Sequence, residues 1–198
     1  LFSKLGEPLI QQAVMQAMNL LGSQFVLGEN INSAITNAQV LEKEGYHISY
    51  DMLGEGARTS EDAKKYFENY LDAIEKAGKS AKKSTISVKL SALHPRYEFA
   101  QSDICIPEIS KKLLQLCEVA AAQDIPLTVD AEEYERLEIS LKIIETVCAA
   151  PELKGWEGFG LALAAYQKTA VSTLDHILGL GRTYERKLQV RLVKGAYW

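Results

Sequence analysis

The segment 126–166, PLTVDAEEYERLEISLKIIETVCAAPELKGWEGFGLALAAY, decides the fold. It opens on a short apolar run, Pro126-Leu127-Thr128-Val129-Asp130, that reads as a strand closed by an acid. A helical pattern from Glu133 to Cys148 follows, then a second apolar run, Phe159-Gly160-Leu161-Ala162-Leu163-Ala164-Ala165-Tyr166. Two strands joined by a long helical crossover lie parallel. Outward from this unit the pattern repeats. Upstream, Ile48-Ser49-Tyr50-Asp51-Met52-Leu53 and Thr85-Ile86-Ser87-Val88-Lys89-Leu90 read as strands. Helices are expected from Thr59 to about Gly78 and from Pro107 to Gln123. Thr59-Ser60-Glu61-Asp62 offers a hydroxyl cap and first-turn acids for the first of these. Downstream come a helix across Val171–Tyr184 and a fifth strand, Leu188-Gln189-Val190-Arg191-Leu192-Val193. Ahead of all this stand two leading helices, Pro8 to Val26 and Ile31 to Glu44, the first with apolar positions Leu9, Ala13, Ala17, Met18, Leu20 and Leu21. The expected division is 1–45 for leading helices packed on the barrel and 46–198 for the repeated units.

Repeated βαβ units fit either an open doubly wound sheet or part of a (β/α)8 barrel. Every strand runs apolar and then meets a polar group: Asp51, Lys89, Asp130, Tyr166 with Gln167, and Arg191 with Lys194. Convergence from all five strand ends suits a barrel mouth, whereas a doubly wound sheet gathers its chemistry at one switch point. The barrel is the reading that follows. A full barrel has eight strands and typically about 250 residues, so five strands are expected to be its first part. The inward apolar faces, such as Leu161 and Leu163 on strand four and Val190 and Leu192 on strand five, are expected to lose part of their cover without the missing strands.

Composition narrows the function. The 198 residues are 47% hydrophobic and 24% charged, which excludes disorder. A net charge of -4 offers no basic field for nucleic acid or an anionic membrane surface. Cys105, Cys117 and Cys148 are odd in number and lack C-x-x-C spacing, which argues against a disulfide framework and fits a reducing cytoplasm. Neither a signal peptide nor an apolar run approaching the ~18 residues of a membrane span is expected. The glycine pairs Gly54/Gly56, Gly158/Gly160 and Gly179/Gly181 fail as nucleotide loops, and His47, His94 and His176 show no metal spacing, so no metal is expected.

Three charged residues stand out. Lys89 ends an apolar strand, where an ammonium needs partners: a site, or an ion pair with Asp51 or Asp130 inside the barrel. Asp130 closes its strand in the same way, while Glu132 and Glu133 read as acids that charge the start of the next helix. Arg191 lies between Val190 and Leu192, so it faces away from both, and a guanidinium there calls for an anion or an electron-rich ligand. Lys194-Gly195-Ala196-Tyr197-Trp198 adds small residues that let a ligand approach and aromatics that can wall it. The chemistry alone also permits a Schiff-base lyase with Lys89 or Lys194 as the amine.

Several long motifs carry a resemblance. Ser49-Tyr50-Asp51-Met52-Leu53-Gly54-Glu55, Val88-Lys89-Leu90-Ser91-Ala92-Leu93-His94-Pro95-Arg96-Tyr97, Val129-Asp130-Ala131-Glu132-Glu133, Ala165-Tyr166-Gln167-Lys168 and Arg191-Leu192-Val193-Lys194-Gly195-Ala196-Tyr197-Trp198 resemble the proline dehydrogenase domain of the bifunctional proline utilization A flavoenzymes. The resemblance spans nearly the whole chain. It implies a distorted (β/α)8 barrel that binds FAD and oxidises L-proline to Δ1-pyrroline-5-carboxylate, with electrons passed to a membrane quinone. Lys89 would bind the substrate carboxylate, and Asp130 would be an acid beside the flavin. Arg191 would lie by the flavin N5. Ala131, Ala164, Val193, Lys194, Gly195, Ala196 and Tyr197 would line the cofactor, Tyr197 also the substrate. It further implies a cytoplasmic protein, able in full length to associate peripherally with the inner membrane, and no nucleic acid bound by this segment.

Two departures are visible. The family usually carries glutamine where Ala164 stands, and its later strands, with an arginine pair for the substrate carboxylate, are absent. The isolated 198-residue chain is therefore expected to hold FAD poorly, to be inactive, and to self-associate through open sheet edges. A Schiff-base lyase and a non-catalytic half-barrel are the competing expectations.

Overall fold

All five expected strands form, each shorter than its apolar run, in a computed structural model that describes residues 10–18, 22, 26–80 and 82–195. They are β1 (Ser49–Asp51), β2 (Thr85–Val88), β3 (Leu127–Val129), β4 (Phe159–Ala164) and β5 (Gln189–Val193). The sheet is parallel throughout, in the spatial order β1-β2-β3-β4-β5. Strand order that follows chain order without reversal leaves no switch point, and this removes the doubly wound alternative. It is the wall of a (β/α)8-type barrel.

Register settles what each side of that wall carries. Asp51 pairs with Ser87, Ser87 with Thr128, Thr128 with Gly160, Ala162 with Arg191, and Ala164 with Val193. Laterally paired residues share a face and successive residues alternate, so all of these look the same way, together with Lys89 and Asp130 one step beyond β2 and β3. Tyr50, Ile86, Val88, Leu127, Val129, Phe159, Leu161 and Leu163 occupy the opposite face and are buried. That apolar face is covered by helices. Leu161, Leu163, Val190 and Leu192 therefore look away from the barrel interior, and not into it as expected, because they alternate with Ala162 and Arg191. Leu192 shares it but remains 63% exposed, because among the described residues no helix crosses behind β5.

Among the described residues the helices with the strands are α2 (Ile31–Lys43), α3 (Ser60–Gly78), α4 (Ser102–Ala122), α5 (Leu137–Cys148) and α6 (Ala170–Thr183). Residues 10–18 are also helical (α1). The chain divides into two units, Leu1–Tyr46 and His47–Trp198. In the first, Ile10, Val14, Met15 and Met18 are all exposed, so the described part of α1 does not bury the stripe its pattern predicts. Leu9, Leu20 and Leu21 lie outside the described residues. In the second unit, α3, α4, α5 and α6 pack side by side. Ile74, Ile109, Leu113, Leu116, Ile139 and Ile143 are fully buried on their inner faces.

Local chemistry sets the ends. Thr59 caps α3: its hydroxyl accepts the Asp62 N–H at 3.1 Å, and the Asp62 carboxylate accepts the Thr59 N–H at 3.0 Å. The Thr59 hydroxyl bond holds the Asp62 carboxyl below its usual range. Helix α4 starts five residues earlier than Pro107 suggests, with Pro107 inside it. A turn of 3-10 helix (Phe99–Gln101) leads directly into it, so the helix is nucleated before the proline is reached.

The end of α5 is held from a distance. Arg186, in the loop before β5, donates from Nε to the Cys148 carbonyl (3.0 Å) and from Nη2 to the Ala150 carbonyl (2.5 Å). Its Nη1 donates to the Leu153 carbonyl. The Cys148 carbonyl is one of the helix-end acceptors without an intrahelical donor; the Ala150 and Leu153 carbonyls also accept the Leu153 and Trp156 N–H groups. Charge-assisted bonds of this kind are each worth up to about 1.5–3 kcal/mol and do not add fully. Arg186→Ala is expected to destabilise the fold by about 2–3 kcal/mol, a drop in Tm of about 4–12 °C. Thermal unfolding followed by circular dichroism checks this, and a Tm within a degree of the parent would show the three bonds to be dispensable.

Candidate active site

The inner face of the sheet carries an interlocked set of charges at the strand C-termini. Lys89 follows β2 immediately, and its ammonium pairs with the Asp51 carboxylate from β1 and, at 3.2 Å, with Asp130 Oδ2 just past β3. Arg191, in the middle of β5, donates from Nη2 to Asp130 Oδ1 and from Nη1 to the Ser87 hydroxyl at 3.1 Å. Asp130 is thus the shared anion between two cations. Its side chain is 12% exposed, against 52% for Asp51, so the shared carboxylate is the desolvated one and the other partner of Lys89 is wet.

The backbone secures this arrangement. The Asp130 N–H donates to the Val88 carbonyl at 2.9 Å, continuing the β2–β3 ladder one residue past the strand. The Lys89 N–H donates to the Tyr70 hydroxyl at 3.1 Å, which ties the lysine's backbone to α3. Burial pushes the Tyr70 phenol up to about 12, so it serves as a neutral acceptor. Burial acts to lower the Lys89 pKa, but the Asp51 hydrogen bond and the charges of Asp130 and Asp51 outweigh it, and the ammonium is held charged above its usual range. An amine held this firmly as a cation is a poor Schiff-base nucleophile, because that role needs the neutral form.

Beside the charges the same face is small. Gly160, Ala162 and Ala164 present no side chain larger than a methyl along β4; a Cβ on Gly160 would meet the Gln189 carbonyl oxygen at 2.5 Å, so that glycine serves the close approach of β5. Val193 stands opposite Ala164. Gly195 has a φ of +80°, and a Cβ there would fall 1.8 Å from the Tyr166 ring, so the chain past β5 can lie against that ring only as glycine.

Of the residues singled out from sequence, the structure brings Lys89, Asp130 and Arg191 into contact. It places Ala164 and Val193 on their face and Ala131, Lys194 and Gly195 in the adjoining loops. Ala196 and Tyr197 lie outside the described residues. Three participants were missed. Ser87 is legible only from register, Tyr70 lies on a helix, and Glu132, read as an acid that charges the start of the next helix, turns to the loop after β2 instead. Its side chain is 11% exposed and its Oε2 accepts the Ser91 N–H at 3.1 Å. Its neighbour Glu133 is 64% exposed.

Comparison with known proteins agrees with this picture. A family model described as proline dehydrogenase matches residues 34–198. The bifunctional protein PutA of Salmonella typhimurium is 47% identical over an alignment covering all of this chain and 16% of that protein. PutA of Rhizobium meliloti is 42% identical with the same coverage. A crystal structure of Bradyrhizobium japonicum proline utilization A superposes with a TM-score of 0.82 at 50% identity, over 99% of this chain and 20% of that one. The chain therefore spans about a sixth of the length of these curated relatives.

Proposed function

The chain belongs to the proline dehydrogenase family of flavoenzymes, and on that premise we propose that the full-length protein oxidises L-proline to Δ1-pyrroline-5-carboxylate with FAD, its electrons going on to a membrane quinone. The observation that carries this reading is the Lys89–Asp130–Arg191 set on the inner face, next to the small floor of Ala162 and Ala164. Such a floor is what a planar ring system needs, and a fixed guanidinium beside it is what added electron density needs. When bound, the flavin supplies the two-electron acceptor.

The residues of the chain do the rest. Lys89 takes the substrate carboxylate, exchanging the wet partner Asp51 for it while Asp130 keeps the ammonium in place. Arg191, anchored at both Asp130 and Ser87, holds a positive charge where negative charge develops, at no cost of reorganisation. Ala131, Ala164, Val193, Lys194 and Gly195 line the cofactor, with Ala196 and Tyr197 following. The reading places the protein in the cytoplasm, with peripheral membrane contact where the electrons leave.

The direct test is the full-length protein with proline and an artificial electron acceptor. Proline-dependent reduction, with FAD released on denaturation, is the expected result. A colourless protein, or one that reduces the acceptor no faster with proline than without it, would overturn the reading.

Ala164 offers a sharper measurement. Its side chain faces the same way as Arg191, where the family usually carries a glutamine. Ala164→Gln is expected to tighten FAD retention about two- to tenfold, the equivalent of one neutral hydrogen bond worth about 0.5–1.5 kcal/mol. Fluorescence titration of the apoprotein with FAD measures it, and equal or weaker binding would show that position 164 does not face the ring.

A further inference from the structure

Three loops leave the sheet at the candidate active site, following β1, β2 and β3, and they carry Asp51, Lys89 and Asp130 at their roots. A buried knot joins them. Ser91, 2% exposed, sits in the 3-10 turn Leu90–Ala92 that begins immediately after Lys89. Its hydroxyl accepts the Gly56 N–H at 3.1 Å and its carbonyl accepts the Ala57 N–H at 2.9 Å, both from the loop after β1. Its own N–H donates to Glu132 Oε2 at 3.1 Å, in the loop after β3. The other carboxylate oxygen, Oε1, lies 3.5 Å from Arg136 Nη1, and that guanidinium stacks 5.2 Å above the ring of buried Tyr97. Among the described residues no strand hydrogen bond links these loops at this level, so the knot is their backbone link, beside the side-chain pairs of Lys89 with Asp51 and Asp130.

The placement of a carboxylate here needs a reason. Burial pushes the Glu132 carboxyl above its usual range despite the Ser91 bonds and Arg136, so its charge is held at a cost. Its neighbour Glu133 reaches solvent and shares Arg136 at 3.1 Å. Only Glu132 turns inward.

Resting on the functional reading above, we infer that Glu132, acting through Ser91, is a positioning residue that holds the Lys89 turn against the loops of Asp51 and Asp130 and so sets where the substrate carboxylate is bound. Asp130 keeps its ladder bond to Val88 and its pairing with Arg191 without this knot. The Lys89 turn keeps its ties to Tyr70, to Gly56 and Ala57 and, through the ammonium, to Asp51 and Asp130, but it loses its one backbone bond to the loop after β3. Loss of Glu132 therefore falls first on Lys89, hence on substrate binding, and only secondarily on the group next to the cofactor.

The test is made in the full-length holoenzyme with two variants at one position. Glu132→Ala is expected to raise KM for proline about tenfold or more while kcat per bound flavin changes less than about threefold. Glu132→Gln retains an amide oxygen for the Ser91 N–H and is expected to stay within about threefold of the parent in KM. Hydrogen exchange supplies a readout that does not depend on turnover: peptides containing Gly56, Ala57 and Ser91 exchange faster in Glu132→Ala and at the parental rate in Glu132→Gln. Should Glu132→Ala not fold, Ser91→Ala tests the other half of the same knot, since it keeps the N–H bond to Glu132 and removes the acceptor of the Gly56 N–H, with faster exchange at Gly56 and a raised KM expected. An unchanged KM in the alanine variants, or a glutamine variant no better than alanine, would overturn the inference. A parent that does not oxidise proline would instead overturn the functional reading, leaving the exchange pattern to judge the knot by itself.

Discussion

Lys89→Met in the full-length protein is expected to lower kcat/KM for proline by about thirtyfold to several thousandfold, most of it in KM. The magnitude is that of truncating one partner of a desolvated charge pair, about 2–5 kcal/mol, much of which reflects the partner left unpaired. Methionine matches the apolar stem of lysine, so the loss is of charge and not of packing. It falls in two places. The substrate carboxylate loses its ammonium, and Asp51 and Asp130 then confront the incoming anion with only Arg191 to offset them. Steady-state kinetics normalised to bound flavin separate this from a folding defect. A KM within about threefold of the parent would show that Lys89 only braces the two aspartates, which is its purely structural role.

The second large effect is expected at Arg191. Arg191→Met removes the guanidinium that Asp130 and Ser87 aim across the inner face. Removing one preorganised donor from the place where charge develops costs about 10²–10³ in kcat, and that loss is expected here with little change in KM. A charge-assisted hydrogen bond worth about 1.5–3 kcal/mol corresponds, for a two-electron couple, to a flavin potential about 30–60 mV lower. Spectroelectrochemistry measures the potential apart from turnover. If neither moves, Arg191 does not lie beside the cofactor, whatever it does for the barrel wall.

Together the two substitutions separate binding from electron transfer, because Asp130 stands between the two cations. A change at Lys89 leaves Arg191 anchored at Ser87, and a change at Arg191 leaves Lys89 anchored at Asp51. The same geometry weighs against a Schiff-base lyase. Two carboxylates keep Lys89 charged, and a carbonyl substrate would meet an ammonium in place of an amine.

How much of this was legible without coordinates follows from how far each signal reaches along the chain. Alternation of short apolar runs with helical patterns depends on neighbours two to four residues apart, and it located all five strands and the helices that follow them. The capping of α3 by Thr59 spans three residues and was equally visible. So was the demand that Lys89, Asp130 and Arg191 find partners, since a charge closing or interrupting an apolar strand cannot be left alone. The sequence named Asp51 or Asp130 for Lys89, which meets both; what it could not carry is the partners of Arg191, which meets Asp130 across 61 residues and Ser87 across 104. Each of these contacts exists because strand order is sequential and the register places one residue opposite another. Glu132 and Glu133 make the point most plainly: adjacent and identical in kind, they are told apart only when the first finds the Ser91 N–H, 41 residues earlier in the chain, and the second finds water. Periodicity fixes an element and the face a residue occupies, because backbone geometry repeats locally. Which buried donor waits at the end of a side chain is decided by packing between loops, for which no local pattern exists.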